Sequence, residues 1–528
     1  MEIEIRNERE LTEWEERIGA LLQRHDLDYV LGGVRQSLTK LYPFAAGGIA
    51  LFAIRYSLPP VARPPETQVM PWSELAPLAN LVTQYLITDP ATFGTRGEDY
   101  YQGSTLIPIV LRLAGNQFPY DVSPFGQYAR ALKLFHETPK TLGPARVRQY
   151  FDIEAAFHKL TGIRVVDFVD VGYGAFAVST SKSALTGGWF QKARSQGMKF
   201  DDGVVRKALD QLAADQWKLR DLYDAYKQPD RKYGMHDFNP LFVYPLVRPW
   251  PKRELTTLDE DRMIAPLPGL ILTRLSEGIY HQLFSKYRDE FARYFGLVFE
   301  NYVGEILQRS LGDGQLLSER TIRSSYKTGK LPDYVFVDGN TAILMECKAT
   351  GLQRKALATA DATSIDQSVN RIVEGLIQLH EFKDACDKRT PGLKQFHRCS
   401  DFKLVIVTFE PFYIVNSVPF KQVIARTLAQ ELKIAEIKLS PWYVLAVDQL
   451  EKMQPHFSAG IKLSAAIDEF LSGRTFNDVL KESAEKTGKS YKDSFLHETE
   501  EELWARLNIH PRIDESFQEI DPITGNGG

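Results

Sequence analysis

The segment 331–348 constrains the fold of this chain more than any other part of the sequence. Two apolar runs flank the triplet Asp338-Gly339-Asn340, which is a strong signal for a tight β-hairpin. Both runs are apolar at odd and at even positions, a pattern typical of strands that are covered on both faces. The sequence therefore predicts a buried hairpin within a larger α/β structure.

Two carboxylates in this segment share one face of the predicted hairpin. If the last two residues of the triplet form the turn, Asp333 lies directly opposite Glu346. If the first two form it, Asp333 lies opposite Leu344, the neighbour of Glu346 on the same face. A three-residue turn would disturb this pairing. We therefore expect the two acidic side chains to lie together, with the turn length deciding how closely.

Lys348 extends the cluster, because strand side chains alternate and a residue two positions after Glu346 projects to the same face. Ionised groups beside an apolar sheet are costly unless they are paired or bound to metal. Carboxylates can hold Mg²⁺, and a nearby lysine can orient or help to deprotonate a water that attacks a phosphodiester. The alternative is a structural salt bridge at a sheet end, formed by Lys348 with Glu346 or with Asp333.

A third carboxylate is expected from the helix that precedes the hairpin. The helical neighbours of Glu300 three and four positions away are apolar residues or glycines, whereas those of Glu305 are mostly polar. Glu300 is therefore the better candidate for the site. Cys347 alternates to the other side of its strand, where we expect it to fill the core.

The C-terminal half predicts an α/β layout with a mixed sheet, flanked by helices. Helical spacing covers about 279–311 and 365–382, and residues after Gln449 return to a helical pattern with a polar, frayed tail. The expected strands are Thr321–Tyr326, Pro332–Val337, Ala342–Ala349, Phe402–Phe409 and Ile437–Val447.

The N-terminal half is predicted to be mostly helical. Helical apolar spacing recurs at Leu11–Leu22, Leu78–Ile87, Gly126–Phe135, Ile153–Leu160 and Val204–Tyr226, and the apolar run Phe44–Ile54 is too short to span a bilayer and indicates a buried element. The proline-rich stretch 245–268 is interpreted as the connection between the halves.

The chain has 528 residues, of which 44% are hydrophobic, so it can bury more than one core. We predict a mostly helical domain at 1–265, an α/β domain at 280–452 and a helical extension at 453–528. Three cysteines without metal-ligand spacing, and the lack of a visible signal peptide, favour the reducing cytoplasm and no membrane association.

Basic side chains cluster around the predicted hairpin. The net charge is only −4, so any affinity for nucleic acid must come from local patches. For each cluster, a solvated surface is an equally good interpretation. The candidate nucleic-acid contacts are Arg320, Arg323, Lys327, Lys330, Arg354 and Lys355.

The hairpin with Pro332-Asp333 and Glu346-Cys347-Lys348 resembles the PD-(D/E)xK, or restriction-endonuclease-like, nuclease superfamily. The segment Gly296–Glu300 is similar to the first-helix motif of its Mrr-like branch. The resemblance covers about 287–450. It implies a core of helix, three strands, helix and strand, with Asp333, Glu346 and Glu300 as metal ligands.

The same resemblance implies Mg²⁺ dependence, with Mn²⁺ as a substitute, and cleavage of DNA more readily than RNA. Relatives often place a glutamine of the second helix in the site; Gln367 and Gln378 both qualify, and we favour Gln367. A nuclease domain joined to an unfamiliar helical domain suggests restriction or anti-phage defence by analogy. The helical half would then select substrate or regulate, and a homodimer or an accessory protein stays open.

Two other functions fit the sequence. One is a catalytically silent nucleic-acid-binding or scaffolding protein on the same fold; the intact Asp333, Glu346 and Lys348 argue against it. The other is a structural interaction protein that uses the aromatic-rich helical half. Neither would cleave a phosphodiester bond.

Overall fold

A computed structural model describes most of the chain. The described residues are 7–60, 68–88, 117–120, 126–145, 147–182, 184–195, 201–249, 261–311, 316–351, 362–412 and 414–507. Among them, every helix is too short or too polar to cross a lipid bilayer.

The chain divides into two compact units. The first comprises Met1–His136, Asp152–Arg288 and Gln353–Ser364, and the second comprises Glu137–Phe151, Asp289–Leu352 and Ile365–Gly528. One boundary between the units follows Arg288, where the backbone leaves the helical conformation (φ 47°, ψ −126°) inside the helical run Glu277–Ser310. The expected domain limits near 265, 280 and 452 do not coincide with this division and stay a prediction.

The first unit is mostly helical, as predicted from the apolar spacing. Its longer helices bury one face each, and Pro43–Tyr56 is buried along the whole stretch 45–54. The helices are Glu8–Leu22, Leu27–Gln36, Pro43–Tyr56, Trp72–Ile87, Gln127–Leu132, Ile153–Thr161, Val165–Ser181, Gly188–Ser195, Asp202–Leu212, Gln216–Tyr226 and Gly269–Leu275.

Two small sheets complete the first unit. Strand β1 (Leu185–Thr186) pairs antiparallel with β4 (Arg262–Met263), and β2 (Ala213–Asp215) pairs parallel with β3 (Leu246–Arg248). The stretch 245–268 therefore contributes strands to this unit, where the sequence predicted only a connection. Strand β2 also splits the single helix predicted over 204–226 into two.

The second unit is built on a five-stranded mixed sheet, which confirms the predicted α/β layout of this half. Its order is β5-β6-β7-β8-β9; β5 to β7 are antiparallel neighbours, and β7 to β9 are parallel neighbours. The strands are β5 Leu316–Ser318, β6 Tyr334–Asp338, β7 Thr341–Lys348, β8 Asp401–Thr408 and β9 Trp442–Ala446.

Helices cover this sheet. Phe295 and Phe299 on the helix Glu277–Ser310 pack edge-on against Phe409, which follows β8, with ring centroids 5.2 and 6.0 Å apart. The other helices of the unit are Thr138–Thr141, Glu319–Ser325, Ala362–Asp387, Val418–Leu432, Val447–Ser458, Leu463–Leu471, Phe476–Thr487 and Phe495–Leu507.

The predicted strand Thr321–Tyr326 is wrong, because these residues lie in the helix Glu319–Ser325. Ser318 caps this helix by accepting a hydrogen bond from the backbone of Thr321, and Arg323 pairs with Glu319 one turn away at 2.7 Å. The cap and the ion pair favour a helical turn, and they outweigh the strand preference of the β-branched residues. The first strand of the sheet is β5, just before it.

The hairpin β6–β7 has the first of the predicted registers. Tyr334 pairs with Met345 and Asp338 pairs with Thr341, which leaves Gly339 and Asn340 as a two-residue turn. Gly339 has φ +64°, whereas Asn340 stays out of the left-handed region. Glycine at the first turn position is typical of a type II′ turn, whose twist matches that of the two strands.

Candidate active site

Asp333 immediately precedes β6 and is held by two hydrogen bonds. Its Oδ2 accepts a hydrogen bond of 2.7 Å from the backbone N–H of Cys347 in β7, across the hairpin. Its own carbonyl oxygen accepts one of 2.8 Å from the backbone N–H of Glu319. The predicted register thus brings Asp333 beside the end of β7.

Glu346 is buried and both of its carboxylate oxygens are engaged. Oε1 lies 2.8 Å from Nζ of Lys348, and Oε2 accepts a hydrogen bond of 2.6 Å from Nε2 of Gln378. Only 6% of the Glu346 side chain is exposed, compared with 24% of that of Lys348. The lysine therefore links a buried carboxylate to the more open side of the site.

Gln378 enters the site from the helix Ala362–Asp387. The same Nε2 that binds Glu346 also donates a hydrogen bond of 2.7 Å to the carbonyl oxygen of Leu331. A Cβ at Gly375, one turn earlier, would lie 3.1 Å from Cε of Lys348 and 3.5 Å from Cγ of Glu346. Its nearest neighbour would be Cδ1 of Ile406 at 2.8 Å, so the absence of a side chain at this glycine lets the helix approach β7 and β8 closely.

The structure brings Gln378 into the site, the glutamine that the sequence left as the second choice. The side chain of Gln367, which we favoured, lies outside the described side chains. The preference for Gln367 rested on its shorter distance along the chain from Lys348. The helix Ala362–Asp387 packs over the strand ends with its second half, which carries Gln378, and the choice of Gln367 stays a prediction.

Glu300 faces the same region from the helix Glu277–Ser310. Its backbone carbonyl accepts a hydrogen bond of 3.1 Å from the hydroxyl of Tyr334, and a Cβ at Gly304 would collide with that hydroxyl. Within the described residues, the Glu300 carboxylate makes no hydrogen bond. Glu305 instead pairs with Arg309 at 3.2 Å, as expected for a surface residue.

The carboxyl groups of the acidic site (Asp333, Glu346 and Glu300) repel one another in a poorly solvated place. Burial, followed by the charges of Asp333, Glu319 and Glu346, raises the pKa of Glu300 to about 8. Burial and the charge of Asp333 raise the pKa of Glu346 to about 8, although Lys348 opposes that shift. Glu319, which is paired with Arg323, also contributes to both shifts, and the sequence did not indicate this.

Asp333 keeps more of its negative charge than the two glutamates. Burial raises its pKa to about 6, while the hydrogen bond from the backbone of Cys347 and the charge of Lys348 act in the opposite direction. At neutral pH the acidic site therefore holds fewer charges than carboxyl groups. A divalent cation would stabilise the fully ionised form, because it supplies the positive charge that Lys348 alone cannot.

The donor set fits Mg²⁺ only in part. Among the described side chains, no three of His, Cys, Asp and Glu are grouped closely enough to enclose a metal ion. Mg²⁺ commonly binds through one or two carboxylates and keeps several waters or substrate oxygens. Asp333 and Glu346 match that smaller requirement, with Glu300 as a further source of negative charge.

The basic residues before β6 differ in their exposure to solvent and in their ion pairs. Arg320, Lys327 and Lys330 are exposed to solvent. Arg323 is bound to Glu319 and to the carbonyl oxygen of Gly329 at 2.9 Å. The two further candidates, Arg354 and Lys355, lie outside the described residues.

Comparison of the chain with protein-family models, with curated proteins and with solved structures found no match.

Proposed function

We propose that this protein is a metal-dependent nuclease that hydrolyses phosphodiester bonds, most readily those of DNA, on a restriction-endonuclease-like domain in its C-terminal half. One observation carries the proposal: the two-residue turn sets a register that places Asp333 opposite Glu346, with the Asp333 carboxylate bound to the backbone of Cys347 and Lys348 in contact with Glu346. A buried arrangement of this kind costs stability and offers oxygen ligands beside a cation. Phosphodiester hydrolysis with a bound metal ion uses both the oxygen ligands and the cation, and this use would explain why the cost in stability is tolerated.

Each residue of the site has a separate role in this mechanism. Asp333 and Glu346 would hold Mg²⁺ or Mn²⁺, and the bound ion would act as a Lewis acid on a phosphate oxygen. Lys348, whose side chain is partly exposed, donates hydrogen bonds to the attacking water or to the phosphate. Gln378 fixes the orientation of Glu346 through its two hydrogen bonds. Glu300, which is largely protonated at neutral pH without metal, would add negative charge once a bound cation favours its ionised form.

The polymer would be held by cations beside the hairpin. Arg320, Lys327 and Lys330 are exposed, so they can neutralise phosphates without first breaking an ion pair in the described structure. Arg323 would first have to leave Glu319. We therefore assign the main electrostatic role to the three exposed residues.

The test is cleavage of plasmid, linear duplex, single-stranded DNA and RNA in Mg²⁺, Mn²⁺ or EDTA. Lys348→Ala and Asp333→Ala should each lower metal-dependent cleavage by roughly 10²-fold or more. Lys438→Ala, at an exposed lysine of the same unit, is the matched control and should cleave like the wild type. Cleavage that persists in both site variants would refute the assignment.

A second function is favoured by one observation, the complete engagement of the Glu346 carboxylate by Lys348 and Gln378. If those bonds persist in solution, the protein would bind nucleic acid or act as a scaffold without cleaving. Calorimetric titration with Mn²⁺ separates the two functions. Binding that is lost in Asp333→Ala supports the nuclease, and absence of binding supports the silent protein.

A further inference from the structure

The first unit contains a second cluster of charged residues, unrelated to the acidic site. It surrounds an open cavity of about 250 Å³. Four of its lining residues are cations, two are tyrosines and one is acidic. The lining residues are Arg55, Tyr56, Arg220, Tyr223, Asp224, Lys227 and Arg231.

Two acids behind this cavity are already saturated by hydrogen bonds. Glu15 pairs with Arg55 and accepts a hydrogen bond of 3.0 Å from the hydroxyl of Tyr85. Asp237 accepts bonds of 2.5 Å from the hydroxyl of Tyr223 and 2.9 Å from Arg231, and its side chain has no exposed surface. These acids neutralise two of the four cations.

Arg55 is held tightly but incompletely. Its guanidinium lies over the rings of Tyr56 and Tyr223, at 4.7 and 4.5 Å from their centroids, and only 10% of its side chain is exposed. Its Nη1 is enclosed and makes no hydrogen bond. The two ring faces are therefore occupied by an arginine, so a ligand here would be recognised by its charge.

Arg220 supplies positive charge without a hydrogen-bonded carboxylate. Its Nε and Nη2 donate hydrogen bonds of 2.7 and 2.8 Å to the carbonyl oxygens of Ile54 and Ser57, at the end of the helix Pro43–Tyr56. Gln216 donates to the same two oxygens, at 3.1 and 2.9 Å. Arg220 is thus not needed to satisfy those carbonyls.

The charge balance leaves one cation in excess. Lys227 pairs with Asp224 at 2.8 Å, Arg55 with Glu15 and Arg231 with Asp237, so three of the four cations that line the cavity have a carboxylate at ion-pair distance, while the charge of Asp224 reaches Arg220 only from farther away. Arg220 is the remaining one. In the described structure its Nη1 has no hydrogen-bond partner and is available to an oxyanion.

We infer that this cavity binds a phosphate monoester of sugar-phosphate or nucleoside-monophosphate size. The guanidinium groups of Arg55, Arg220 and Arg231 come from three different elements, and Lys227 follows the helix that carries Arg220. Donors that approach from several directions suit a tetrahedral oxyanion with three terminal oxygens better than a planar carboxylate. The small volume and the single excess charge disfavour polyphosphates. This assignment does not depend on the nuclease activity.

The test is calorimetric titration of the full-length protein with inorganic phosphate, ribose 5-phosphate and adenosine 5′-monophosphate at constant ionic strength. Binding by one of these should weaken by about tenfold or more in Arg220→Gln, which removes the unpaired charge. Arg194→Gln is the matched control, because Arg194 is an exposed arginine of the same unit, paired with Asp202 at 3.0 Å. It should bind like the wild type.

Because Gln216 still satisfies the two carbonyls, Arg220→Gln should keep the melting temperature of the wild type. If it unfolds, Lys227→Gln replaces it, since that exposed substitution leaves Asp224 unpaired beside the ligand and should also weaken binding. No heat from any ligand up to about 10 mM would overturn the inference. Equal binding by the variant and the wild type, or equal competition by sulfate and acetate, would also overturn it.

Discussion

Replacing Glu300 by glutamine should make the protein more stable at alkaline pH in the absence of metal. The Glu300 carboxyl is mostly buried and has a pKa of about 8, against an ordinary value of 4.5, because of burial and the neighbouring charges of Asp333, Glu319 and Glu346. The unfolded chain therefore holds fewer protons at this position than the folded protein. The contribution of Glu300 to the free energy of unfolding must then fall as the pH rises from about 4.5 to 8.

The magnitude follows from the two pKa values. Between pH 6 and pH 8 the unfolded carboxyl is fully ionised, whereas the folded one begins to ionise only near pH 8. Each pKa unit is equivalent to about 1.4 kcal/mol, so Glu300 alone should cost about 2 kcal/mol of unfolding free energy over this interval. A glutamine at this position does not titrate and removes the cost.

The assay is urea unfolding in EDTA at pH 6, 7 and 8, followed by circular dichroism. The unfolding free energy of Glu300→Gln, relative to that of the wild type, should increase by about 2 kcal/mol from pH 6 to pH 8. Glu305→Gln, on the same helix, is the control and should follow the wild type. Taking the difference between the variant and the wild type cancels the titration of groups that do not interact with Glu300, so the change with pH reports Glu300 together with its effect on Asp333, Glu319 and Glu346.

A difference between Glu300→Gln and the wild type that does not change with pH would refute the claim that this carboxyl is held protonated. Adding Mn²⁺ tests the same claim by favouring the ionised form of the carboxyl. A cation that binds the acidic site favours the ionised carboxyl, so saturating Mn²⁺ should reduce the pH dependence of the wild type. The Glu300→Gln protein should show a smaller change.

Substitutions at three further positions test the structure around the site. Gln378→Leu should lower cleavage more than stability, because Glu346 loses the donor that orients it; the ratio of the two effects is read from kinetics and urea unfolding. Gly304→Ala should cost about 1–3 kcal/mol, since the new Cβ collides with the hydroxyl of Tyr334, and thermal unfolding measures this. Gly339→Ala should cost about 1 kcal/mol in the same assay, whereas Gly339→Asn should cost less, because asparagine tolerates a positive φ.

The hairpin could be predicted in detail because its determinants are local. Turn residues, strand alternation and the position of Asp333 relative to Glu346 all lie within 18 consecutive residues. The register observed is one of the two that the sequence predicted for a two-residue turn, and the three-residue turn is not formed. The nuclease function drawn from the same residues stays a prediction.

Other features could not be predicted because distant or competing interactions decide them. The approach of Gln378 to Glu346 depends on how a long helix packs over the sheet, which spacing along the chain does not reveal. The segment starting at Thr321 looked like a strand from its β-branched residues, but the cap of Ser318 directs a helix. The phosphate cavity assembles residues more than 150 positions apart and left no local pattern.

The two-residue turn at Gly339 and Asn340 also limits how this protein can change. Exposed hairpin tips are normally places where chains accept insertions and deletions without harm. Here a single added residue would shift β7 by one position and turn Glu346 and Lys348 to the opposite face from Asp333. Stability could survive such an insertion through repacking while the acidic site disappears. Engineering of this domain should therefore leave the length of this exposed turn unchanged and place fusions elsewhere.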